Sequence, residues 1–155
     1  MCVTNQVAHD KLKAYYCGIK LKTLKTKNMK TYSVTELGNM DSITRVTLKE
    51  KLDLTGAEIS ANRLPAGADI PFAHSHKRNE EIYIFTSGIG LFLLDGIKLP
   101  VKEGTAVRVS PSCVRSIRAD NSTGLSYFCI QVDEGSLVQA TQDDGIISEE
   151  KPDWK

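Results

Sequence analysis

From Gly56 onward the chain runs in short apolar or alternating stretches of strand length, broken by Gly, Pro, Asn and Asp. That is the pattern of closely spaced antiparallel strands. Strands are predicted at Gly56–Leu64, Ile70–His76, Glu81–Thr86, Gly90–Leu94, Ile97–Val101, Thr105–Val109, Val114–Ala119 and Leu125–Val132. Asp95-Gly96, between two apolar runs, suits a type I′ hairpin, and Pro65-Ala66-Gly67, Ser87-Gly88 and Ser110-Pro111 mark further turns. So many short strands in one small body predict an all-β jelly-roll sandwich or barrel, whose closure protects strand edges.

Two strands are apolar on both faces. Ile82 and Ile84 alternate with Tyr83 and Phe85, and Leu91 and Leu93 with Phe92 and Leu94. One face lines the interior and something must cover the other. A second copy in a homodimer is the economical cover, and the chain's own N-terminal segment is the alternative. By contrast, Glu58, Ser60 and Asn62 alternate with Ala57, Ile59 and Ala61, giving a strand with one polar face that borders either a ligand cavity or solvent.

Ahead of this body the periodicity fades. Residues 1–28 hold six lysines against one aspartate, a net +5, with no clean helical or strand period. They predict a basic, weakly structured N-terminal arm, with His9 solvated within it and the body at 29–155. Ser33-Val34-Thr35-Glu36 has capping-box spacing and predicts a short helical turn at the body's start. Trp154 is expected to pack the C-terminal tail against the body.

The full 155-residue chain, 41% hydrophobic and 25% charged, matches one ordinary globular domain. The body is mildly acidic, with 14 basic and 18 acidic residues, and offers no global field for nucleic acid. No helix-turn-helix pattern is present, and no apolar run approaches the roughly 20 residues of a membrane helix. Cys2, Cys17, Cys113 and Cys129 form no Cys-x-x-Cys and follow no signal-like segment, so a cytoplasmic location is expected. The sequence also lacks a Gly-x-Ser-x-Gly elbow, a phosphate-binding Gly loop and a GxGxxG ahead of a helix, which disfavours nucleophilic hydrolases, phosphotransferases and dinucleotide enzymes.

The chemistry concentrates at His74, His76, Glu80 and Glu81. Positions i and i+2 of a strand share a face, so the two imidazoles can converge on one point. Glu81 shares its face with Tyr83 and Phe85, whereas Glu80 points the other way. Two histidines and one carboxylate with open positions suit Fe(II), Mn(II), Ni(II) or Zn(II). A hydrogen-bonded histidine pair without metal, or a plain surface loop, is the alternative.

These residues resemble the first motif of the cupin superfamily. Gly67 is followed by six residues, His74-Ser75-His76, four residues, Glu81, six residues and Gly88. The resemblance covers about Gly56 to Val132, half of the chain. It implies a double-stranded β-helix barrel with a short helical or irregular N-terminal extension, and it places His74, His76 and Glu81 on three of the family's metal ligands. The second motif is only partly present. Gly104 leads to Pro111-Ser112-Cys113-Val114-Arg115-Ser116 and then Asn121, so Ser116 takes the slot of the family's fourth ligand, a histidine, and Cys113 that of a glycine. Cys113 could replace the missing ligand as a thiolate or pack as a small hydrophobe.

Arg118 shares the face of Ser116 on a regular strand. It either enters the pocket, where it would hold an anionic group, or Arg115 and Arg118 alike merely decorate the outside. By the resemblance, the protein is either a metal-dependent oxygenase, isomerase or lyase with Tyr83 or Arg118 positioning a small substrate, or a non-catalytic binding or sensing module for a sugar or small acid.

Overall fold

The computed structural model describes residues 31–154, nearly all of them in the second of two compact units, Ser33–Lys155. The expected basic arm and His9 lie outside the described residues. The element order is β1 (Arg45–Thr47), α1 (Lys49–Leu52), β2 (Glu58–Leu64), β3 (Asn79–Leu94), β4 (Ile97–Lys102), β5 (Ala106–Val109), β6 (Arg115–Ala119), β7 (Leu125–Asp133) and a 3-10 turn at Gln142–Asp144. All strand pairings are antiparallel. The path β1-β2-β7-β3-β4, with β5 and β6 also on β3, wraps into the expected jelly-roll barrel.

The 16-residue β3 organises the barrel. Its first half pairs with β7 and β5, its second half with β4 and β6, so one strand serves both sheets. The two strands predicted at Glu81–Thr86 and Gly90–Leu94 are therefore one. They read as two because Thr86 is an extra residue: Phe85 pairs with Tyr127 and Ser87 with Ser126. This bulge reverses which side chains face inward. Before it Glu81, Tyr83 and Phe85 point inward; after it Phe92 does, while Leu91 turns outward. Gly88 makes the corner possible. Its φ is +80°, and a Cβ there would lie 1.8 Å from the Gly124 carbonyl oxygen.

The core is aromatic and aliphatic: Tyr83, Phe85, Phe92, Val101, Val109, Ile117, Leu125 and Tyr127 are all buried. Tyr83 meets Phe92 edge-on at 4.7 Å between ring centroids, a favoured aromatic geometry. The Asp95-Gly96 turn has positive φ at both residues, 47° and 85°, as a type I′ hairpin requires.

Three further expectations need correction. Ser33–Glu36 forms no helix, because Gly38 follows at φ +77° and Asn39 opens a turn that its side chain stabilises through the Asp41 amide. The short helix lies at Lys49–Leu52 instead, ended by Asp53 in the left-handed region. Ile70–His76 is extended but not a continuous strand. It touches β6 through bridges at Asp69–Arg118 and His74–Arg115, and Pro71 between them has no amide hydrogen to donate. Trp154 is 91% exposed and packs against nothing that would bury it. Among the described residues no helix is long and apolar enough to cross a membrane.

Candidate metal centre

The expected histidine face forms by backbone pairing. The His74 amide donates to the Arg115 carbonyl and the Arg115 amide returns a bond to that of His74, at 3.1 and 2.9 Å, while the His76 amide donates to the Pro111 carbonyl at 2.8 Å. The ring centroids of His74 and His76 stand 5.3 Å apart, nearly perpendicular. Glu81 enters from β3. One donor atom from each of His74, His76 and Glu81 lies within 4.8 Å of the others, a group that could hold a metal ion.

Glu81 is 2% exposed and its two oxygens are used differently. Oε2 accepts hydrogen bonds from Tyr83 Oη at 2.7 Å and from Arg115 Nε and Nη2 at 2.9 and 2.7 Å. Oε1 faces His76 Nε2 at 3.0 Å and the Cys129 thiol at 3.4 Å. Arg115, 1% exposed, also donates through Nη1 to the carbonyls of Pro111 and Cys113. Glu80 points outward, as expected, and pairs with Arg108.

Burial alone would raise the Glu81 pKa, but the bonds from Tyr83, Arg115 and His76 outweigh it and hold the carboxyl below its ordinary value. The His74 pKa is lowered, first by burial and then by the Arg115 charge, which favours the neutral imidazole a metal needs. Burial also lifts Tyr83 well above a normal phenol and pushes the Cys129 thiol up to about 12, so both act as neutral donors toward the carboxylate.

Whether these residues suit a metal turns on what their own contacts leave free. His74 Nδ1 is buried without a hydrogen-bond partner. Arg115 and Tyr83 both take Oε2, which leaves Oε1 on the histidine side as a monodentate donor. Two nitrogens and one oxygen fit a divalent transition ion, and the buried guanidinium opposes its charge. The set fits, against an electrostatic cost.

The second-motif reading shifts by one residue. Ser116 points outward and its Oγ donates to the Ile70 carbonyl at 3.0 Å. Arg118 does share the Ser116 face, but that face is the outer one, and Arg118 is exposed. Arg115 is the residue that turns inward, because its partner Leu94 and its neighbours Ile117 and Ala119 lie on the inner face. The apolar alternation of Ile117 and Ala119 could have revealed this. Tyr83 is brought to the site, but it touches Glu81 rather than open space. Cys113 is not part of the histidine–glutamate group.

The polar face of β2 also turns inward. Glu58, Ser60 and Asn62 pair with Gln131, Cys129 and Tyr127, which in turn pair with Glu81, Tyr83 and Phe85. Ser60 and Asn62 are buried and bonded to each other, whereas Glu58 Oε1 is buried without a partner. Glu58 and Glu81 lie on one row two strands apart, about 10 Å between backbones at normal strand spacing.

No protein-family model and no curated protein matches the sequence. Among solved structures, a cupin protein from Bacteroides fragilis is 43% identical, with a TM-score of 0.73 over 77% of this chain and 99% of that one. An RmlC-like cupin family protein with a double-stranded β-helix fold from Methanocaldococcus jannaschii is 25% identical, with a TM-score of 0.51 over 70% of this chain and 94% of the other. A protein described as a sugar phosphate isomerase from a cupin superfamily, from Silicibacter pomeroyi, is 16% identical, with a TM-score of 0.53 over 61% of this chain and 73% of that one. At that identity the likeness concerns the fold alone.

Proposed function

The chain belongs to the cupin superfamily, and from that premise we propose that its barrel binds a small oxygenated molecule beside one divalent transition metal, Fe, Mn, Ni or Zn, held by His74, His76 and Glu81. The observation that carries this reading is the convergence of three donor atoms within 4.8 Å. Such an ion supplies Lewis acidity toward a ligand oxygen. Arg115 and Tyr83 fix the Glu81 carboxylate and present its other oxygen to the histidines. Across the interior, the unpartnered Glu58 Oε1 accepts a hydrogen bond from a hydroxyl of the bound molecule. Cys113 and Cys129 are free thiols, in keeping with a reducing cytoplasm.

Elemental analysis of protein purified without added metal tests the assignment. Near-stoichiometric transition metal is expected in the native chain and almost none in the folded His74→Ala/His76→Ala variant. A double variant that keeps its metal, or a native chain that stays empty after loading, would overturn it.

A second reading draws on the Arg115–Glu81 pair. Because the guanidinium already neutralises the carboxylate, the barrel can bind a sugar or small acid without metal, as a non-catalytic module. Mass spectrometry showing a copurified small molecule in metal-free protein favours this reading.

A further inference from the structure

On the outside of β3, β4 and β6 lies a cavity of about 990 Å³, separate from the barrel interior. Leu91 and Leu93 form its apolar floor, and Lys98, Lys102 and Arg118 border it, with Asp69 and Asp120 as the nearby acids. Leu91 is 40% exposed and Ile89 beside it 45%, so this apolar face has no cover within the described residues.

The C-terminal tail carries the complementary pattern. Ile146 and Ile147, each 96% exposed, are bracketed by Asp143 and Asp144 on one side and Glu149 and Glu150 on the other. The groove has apolar residues flanked by cations, and the tail has apolar residues flanked by anions. The tail leaves the barrel at Asp133, which pairs with Asn79 at the first residue of β3, whereas the groove lies along the far half of that strand.

We propose that the outer groove of one copy receives the acidic segment Asp143–Glu150 of a second copy. Reciprocal exchange of two tails gives a closed two-fold dimer in which each groove and each tail is used once. Hydrophobic contact of Ile146 and Ile147 with Leu91 and Leu93 supplies the burial, and the flanking charges set orientation and disfavour the basic N-terminal segment, residues 1–28, as the occupant.

Sedimentation and light scattering of the full-length chain at micromolar concentration test this. A dimer is expected, twice the 17.1 kDa chain mass, that weakens as salt screens the charges. A groove variant, Lys98→Glu/Lys102→Glu/Arg118→Glu, and a tail variant, Asp143→Lys/Asp144→Lys/Glu149→Lys/Glu150→Lys, should each raise the dissociation constant about a hundredfold, because like charges then face each other. Circular dichroism checks that both remain folded. Mixing the two variants should restore a heterodimer, since reversed tail then meets reversed groove. A monomeric native chain, including one whose tail is protected on its own groove, overturns the proposal. So does a dimer that survives both charge reversals, or a mixture that fails to associate.

Discussion

Replacing Arg115 by Met leaves Glu81 as an uncompensated charge in the barrel interior. The two side chains are 1% and 2% exposed, so water screens the remaining carboxylate poorly. The substitution removes two donors from Glu81 Oε2 and takes the Arg115 Nη1 donor from the Cys113 carbonyl, while the Pro111 carbonyl keeps its bond from the His76 amide. Breaking a buried pair from one side costs about 3–5 kcal/mol. For a body of about 125 residues, each kcal/mol moves the midpoint by roughly 4 °C, so Tm should fall by about 12–20 °C. The pH dependence gives a second check. In the native chain Glu81 has a folded pKa below its ordinary 4.5, so its contribution is present above that value and is lost as pH falls through the folded pKa. Without Arg115, burial dominates and the carboxyl pKa rises, so the variant regains stability as Glu81 protonates. The deficit should be full at pH 7 and shrink toward pH 4. Urea unfolding followed by circular dichroism at both pH values measures it in metal-free protein. Adding Glu81→Gln to the variant should recover much of the loss, because no charge is then left buried. A deficit under about 1 kcal/mol at pH 7, the size of one ordinary hydrogen bond, would refute the reasoning. So would a deficit that does not change with pH.

Gly88→Ala should cost several kcal/mol or abolish soluble expression, because a Cβ would sit 1.8 Å from the Gly124 carbonyl oxygen at a φ of +80°; thermal melts beside a Gly104→Ala control, where a Cβ meets nothing within 4 Å though φ is also positive, separate the clash from the backbone strain. Cys129, buried and with its thiol pushed up to about 12, should resist iodoacetamide at pH 8 in the folded chain and react in urea, as read by peptide mapping. Rapid labelling of Cys129 in the native state would contradict its place behind Glu81.

The parts of this protein that were legible in the sequence are those set by neighbours a few residues apart. His74 and His76 are two residues apart and Glu81 follows after one short turn, so extended backbone on both sides is enough to aim them together. The inward run Glu81-Tyr83-Phe85 is likewise a local alternation. What was not legible depends on parity carried over a turn or a bulge. Thr86 reverses the facing of β3, and the turn at 110–113 decides which of Arg115 and Ser116 meets the interior. Motif spacing put Ser116 inside; strand pairing puts Arg115 there. The pairing carries a chemical consequence that spacing alone misses, since a buried arginine requires a buried anion, and among the described residues the inward carboxylate bonded to it is Glu81. The departure from the second motif is therefore more than a lost ligand. It places a fixed positive charge beside the site that adds to burial in lowering the His74 pKa and joins Tyr83 and His76 in holding Glu81 ionised, so on the proposed reading a metal and the guanidinium compete for the same carboxylate.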